Sequence, residues 1–132
     1  MIAIIGILAA IAIPQYNDYV ARSQITAGFS EASSGRTFYE ERLQRGVQNS
    51  TVADIGLSDP STRCDSLTVN RYTSAGANAS QADEAILCDV QGNPDATGVI
   101  IGIERSTAGA WSCVVKQNTA SVDTDLLPDG CS

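Results

Sequence analysis

The chain has 132 residues, 43% of them hydrophobic, which is enough for one domain of ordinary size. A formal net charge of −7 argues against a protein whose main affinity is for nucleic-acid phosphates and suits a self-repelling, water-facing surface. Histidine is absent, which excludes Ser-His-Asp and Cys-His catalysis and leaves a zinc site a poor reading, so neither an enzyme nor a cofactor-bearing protein is expected.

From Met1 to Ile13 (MIAIIGILAAIAI) no side chain is polar, and the run ends at Pro14. Such a stretch of helix rises about 20 Å, short of the roughly 30 Å hydrocarbon core of a bilayer. A cleaved signal peptide would show a basic leading segment and a small-residue cleavage pattern, and this run has neither. A buried core helix would be apolar on one stripe. This one is apolar all round, the pattern of a helix surrounded by lipid or by other helices. Gly6, Ala9, Ala10 and Ala12 leave room for close helix packing, or are simply ordinary membrane-helix composition.

Beyond Gln15 the apolar residues thin to a stripe: Ala21, Ile25, Phe29 (or Gly28), Ala32, Tyr39 and Leu43 recur at helical steps. Pro14 bends a helix without necessarily stopping it. Arg42 and Arg45 suit a helix C-terminus and Gly46 a C′ position, so the spacing predicts one long helix over about residues 1–45. Residues 46–62 are rich in turn formers and read as a connection with room for a short turn of helix. The positive and negative charges of residues 14–50 balance, so the acidic excess lies further on.

Four segments then alternate with a period of two: Arg63 to Tyr72, Glu84 to Val90, Thr97 to Arg105 and Ala110 to Gln117. Turn chemistry at Gly92-Asn93-Pro94 and Thr107-Ala108-Gly109 predicts that the last three form an antiparallel meander. The helical stripe is the natural cover for the sheet's apolar face. An α+β fold follows, with a protruding apolar helix over residues 1–24 and a head over residues 25–132.

The four cysteines are widely spaced, with no C-x-x-C pair, and allow three pairings. The sequential pairing, Cys64 with Cys88 and Cys113 with Cys131, closes the shortest loops and is preferred. Each bond adds on the order of 3 kcal/mol by restricting the unfolded chain and implies an oxidising compartment. Residues 118–128 are polar and without strand pattern, a loop that a bond between Cys113 and Cys131 pins in place.

The stretch AIIGILAAIAIPQYNDYVARSQ (Ala3 to Gln24) closely resembles the N-terminal helix of type IVa pilins, and related secretion pseudopilins share it. The ending WSCVVKQNTASVDTDLLPDGCS looks like the disulfide-bounded loop of the same family and favours a pilin over a pseudopilin. The resemblance implies the pilin fold, a long helix on a four-stranded antiparallel sheet. It also implies a precursor with a short basic leader, cut by a dedicated peptidase, methylated on a new N-terminal Phe and assembled into a helical homopolymer.

No residue here matches the leader, the processing Gly, that Phe or the Glu that follows it, so those positions are not carried over. Either the chain is truncated, or its start is misassigned, or it is an unusual member; if the family's residues precede Met1, the apolar segment becomes long enough to span a membrane. Ile4, Ile5, Gly6, Ile7, Leu8, Ile11, Ile13 and Pro14 are the expected filament-core residues.

The implied partners are identical subunits, the inner membrane before assembly, and the pilus assembly machinery. A host or surface receptor is implied too, with chemistry these residues do not specify. Adhesion, twitching motility and DNA uptake belong to the assembled fimbrium in that family, and an acidic head argues against nucleic-acid binding along the shaft. The alternatives are a minor pilin, a type II secretion pseudopilin, or an anchored binding domain that never polymerises.

Ser132, after Cys131, is a candidate O-glycan site by resemblance and a frayed end by default. Asp123, Asp125 and Asp129 lack calcium-loop spacing and read as a solvated acidic loop. Asn49-Ser50-Thr51 and Asn78-Ala79-Ser80 fit a glycosylation pattern and read as polar loops.

Overall fold

The computed structural model describes residues 2–72, 84–117 and 123–131. Ser132, the Asn78-Ala79-Ser80 sequon and part of the loop over residues 118–128 lie outside them. Helix α1 spans Ile2–Ser34, α2 spans Arg36–Gln44, and the strands are β1 Cys64–Val69, β2 Glu84–Val90, β3 Val99–Arg105 and β4 Trp111–Gln117. Together α1 and α2 form a rod of 43 residues. It runs through Pro14 without stopping and is interrupted only by a tight turn at Gly35, whose N–H reaches the Ala32 carbonyl at 3.4 Å.

The expected single helix is therefore a pair joined at Gly35. The position must be glycine, since a Cβ on Gly35 would stand 2.8 Å from Ile55, 3.0 Å from Leu57 and 3.1 Å from Ile86. Ser33, Ser34 and Gly35 are also weak helix formers. The connection folds into a 3-10 turn at Ala53–Ile55 that drives Ile55 into the core.

The sheet has strand order β1-β2-β3-β4, antiparallel at every pairing. Its inner face, Ile86, Cys88 and Val90 of β2 with Val99, Ile101 and Ile103 of β3, is buried beneath α1. On β1 a bulge between Cys64 and Ser66 shifts the phase. Cys64 and Leu67 are buried three positions apart, which a strict two-residue alternation does not foresee. The strand is also shorter than the Arg63 to Tyr72 segment expected.

The helix meets this face through Ala21, Ile25, Gly28, Ala32 and Tyr39, all buried. Small residues bring the backbones close: a Cβ on Gly28 would stand 2.9 Å from Val90 Cγ2 and 3.0 Å from Cys88 Sγ. At the lower end Gln24 Oε1 accepts from the Asn93 N–H at 2.7 Å. At the upper end the Tyr39 hydroxyl donates to the Asn70 carbonyl at 2.9 Å, and the Tyr39 ring meets Trp111 edge-on at 5.8 Å. Burial pushes the Tyr39 phenol up to about 12.

Beside Tyr39, Arg105 donates to Glu40 through Nε at 2.7 Å and Nη2 at 2.9 Å, a forked ion pair that ties α2 to the end of β3. The Arg105 side chain is 11% exposed and that of Glu40 31%. Hydrogen bonding from Arg105 holds the Glu40 carboxyl below its ordinary 4.5, although burial opposes the shift.

Two outcomes test this account. Gly28→Val should lower stability by about 1–3 kcal/mol by overpacking against Val90 and Cys88, read as a fall in the urea midpoint. A carboxylate with a depressed folded pKa contributes stability above its unfolded pKa and loses it as pH falls through the folded one. Glu40→Gln should therefore melt earlier than the parent at neutral pH, with the difference closing progressively as pH falls below about 4.5. Equal melting at neutral pH would show the pair to be idle.

Candidate functional site

Among the described residues the rod is exposed at every position from Ile2 to Tyr19, and Val20 is the first to be half-buried. Ile2 is 89% exposed, Ile5 67%, Leu8 62% and Ile13 62%, and Ile4, Ile7 and Ile11 are alike. A Cβ built on Gly6 would meet no heavy atom within 4 Å. Tyr16 and Tyr19 continue the bare surface to the edge of the head. The rod is long and apolar enough to cross a membrane by length and composition, and none of its most apolar window is buried within the chain.

Burying one such aliphatic side chain is worth about 1.5–3 kcal/mol. The seven of them, Ile2, Ile4, Ile5, Ile7, Leu8, Ile11 and Ile13, hold on the order of 10 kcal/mol that this chain alone leaves unused. Chemically the segment can do one thing, which is to exchange water for lipid or for the apolar surface of another molecule. All eight residues from Ile4 to Pro14 named from sequence lie on this bare part of α1.

The other named feature is at the base of the head. Cys113 of β4 and Cys131 are bonded with Cα atoms 4.9 Å apart, and Cys64 of β1 is bonded to Cys88 of β2 at 5.3 Å. Before Cys131 a 3-10 turn, Thr124–Leu126, turns Leu126 and Leu127 inward and rests on α1. Asp123 caps that turn by accepting from the Asp125 N–H at 3.0 Å, and Asp129 lies 3.6 Å from Arg22 of α1.

Sequence reasoning saw those aspartates only as a solvated loop. The Asp-x-Asp spacing before two leucines is the signal for a capped turn with an apolar anchor. Its contact with Arg22 had no local signal. Among the described residues no group of three or more His, Cys, Asp or Glu is placed to hold a metal ion.

A disulfide-closed α+β head carrying a bare apolar rod defines a class: subunits completed only by lipid or by copies of themselves. Comparison with known proteins then places the chain within that class. A family model described as Pilin (bacterial filament) matches residues 21–132, and the chain belongs to that family.

Fimbrial protein Q of Moraxella bovis is 35% identical over 142 positions, spanning 99% of this chain and 90% of that protein. The type IV major alpha-pilin of Moraxella bovis is 32% identical, over 99% of this chain and 89% of its own length. The type IV major fimbrial protein FimA of Dichelobacter nodosus is 33% identical, again over 99% and 89%. The family is one of structural filament proteins, not of enzymes.

Leu126→Ala should cost about 2–3 kcal/mol in the urea midpoint of the head, because a buried anchor between loop and helix is lost. Arg22→Ala should change it by less than about 1 kcal/mol, since that pair faces water. The reverse ranking would mean that the ion pair, not the leucine, holds the loop.

Proposed function

We propose that this chain is the structural subunit of a type IV pilus, held in a bacterial inner membrane by its N-terminal helix and then packed helix against helix into an extracellular filament. The observation that carries the reading is the bare apolar rod on an acidic, disulfide-closed head. In water that rod is a liability of several kcal/mol, whereas in lipid or among parallel copies it is buried on every side.

Identical subunits are the first partner. The rod alternates between two apolar surroundings, so assembly exchanges lipid contact for protein contact without exposing the helix to water. The part of the helix before Ala21 serves as the protruding segment, Ala21 being the first position at which the face turns onto the sheet. The assembly machinery acts on the membrane-bound form. The head then forms the outer surface through which adhesion, twitching motility or DNA uptake operates. Relatives named as a major alpha-pilin and a major fimbrial protein support an abundant shaft subunit over a minor pilin, and the loop closed by Cys113 and Cys131 supports a pilin over a secretion pseudopilin.

The test is the pair Ile7→Ser and Ile11→Ser, introduced together in cells that make the native filament. Both side chains are exposed, so the melting of the head should move by no more than about 0.5 kcal/mol. The yield of sheared filaments should collapse while the disulfide-bonded subunit persists in the membrane fraction. Filaments at the parental yield would remove the helix from the assembly role.

A further inference from the structure

Beyond that reading, and independent of polymerisation, we infer that the two disulfides are accessible to thiol chemistry at different stages. Cys64–Cys88 must close before α1 docks on the sheet, whereas Cys113–Cys131 stays open to exchange in the folded head.

The argument begins with burial. Cys64 and Cys88 are both 0% exposed, bridging β1 and β2 on the face that α1 covers. The lid is Gly28, set so close that a Cβ there would stand 3.0 Å from Cys88 Sγ. Val90, which would be 2.9 Å from the same Cβ, and Ile101, at 3.9 Å, close the seam beside it. Thiol–disulfide exchange needs an attacking thiolate to approach one sulfur of the bond and displace the other. Under Gly28 there is no room for that approach.

Closing the bond converts two thiols to one disulfide, releases two protons and passes two electrons to a disulfide oxidant, which leaves as a dithiol. A mixed disulfide between Cys64 or Cys88 and that oxidant occupies the space where the helix sits. Oxidation therefore acts on the sheet while α1 is still off it.

The second bond has the opposite setting. Cys113 and Cys131 are both half-buried at the margin of the core, Cys113 on the edge strand β4 and Cys131 in the loop that follows the 3-10 turn Thr124–Leu126. A dithiol reaches them without moving any helix. Opening this bond releases the covalent hold on the loop, leaving Leu126 and Leu127 to keep it against α1. The chain thus carries one sealed bond in its core and one exchangeable bond at the base of its head.

The experiment uses the full chain, solubilised in mild detergent so that no neighbouring copy shields the head. Dithiothreitol is added without denaturant, timed samples are quenched with iodoacetamide, and peptides are read by mass spectrometry. Cys113 and Cys131 should be alkylated faster than Cys64 and Cys88 by on the order of a hundredfold, because the sealed pair reacts only through opening of the helix–sheet seam. The difference should vanish in urea that unfolds the head. Equal rates without urea overturn the inference.

A second arm refolds fully reduced chain without oxidant and adds glutathione disulfide afterwards. Slow closure of Cys64–Cys88, or failure to fold until the oxidant is present, supports the order proposed. Prompt closure in a head already folded overturns it.

Discussion

Everything in this molecule depends on how closely one helix approaches one sheet. The seam through Ala21, Ile25, Gly28, Ala32, Gly35 and Tyr39 has side chains where the sheet is hollow and none where β2 comes near. Burial at this seam supplies the head with much of its core, to which Ile55, Leu126 and Leu127 add. It also sets the direction of the exposed rod, because α1 leaves the head as the same helix that fills it. Anchor and core are one element under two solvation regimes, apolar on all sides before Ala21 and on one stripe after it.

The remaining contacts fasten the two ends of that seam. Gln24 holds the turn at Asn93, the Arg105–Glu40 fork with the Tyr39–Trp111 edge contact holds the top, and the Leu126-Leu127 anchor holds the base. Arg36 above the Trp111 ring at 5.3 Å and Arg105 over Tyr72 at 5.1 Å add cation–π contacts at the same corner. Exposed pairs such as Arg45 with Glu41 contribute little by comparison. The disulfides divide the same way: one crosses the core sheet under the helix, the other ties the tail to the edge strand.

Much of this architecture was written in patterns a single strand of text can carry. The helical stripe named Ala21, Ile25, Ala32 and Tyr39, and the alternation at Glu84 to Val90 marked β2 at both ends, since periodicity records which side faces the core. The rod from Ile4 to Pro14 was legible because a helix apolar all round has no place on a lone soluble head. Three features were not. The bulge at β1 depends on register against β2, the Arg105–Glu40 fork joins residues far apart in sequence, and the need for glycine at position 35 follows from where Ile55, Leu57 and Ile86 sit. Each is a fact about neighbours in space, which periodicity along the chain does not encode.

The unbroken passage of α1 into the head also has a mechanical meaning. A pull along the rod reaches the sheet through contacts of α1 spread from Ala21 to Ala32, a length of roughly 17 Å at helical rise. Such a pull loads those contacts side by side, in shear, and not one after another as peeling would. Tension applied to the helix is shared by the whole seam at once, and the bond between Cys64 and Cys88 keeps β1 and β2 from parting beneath it.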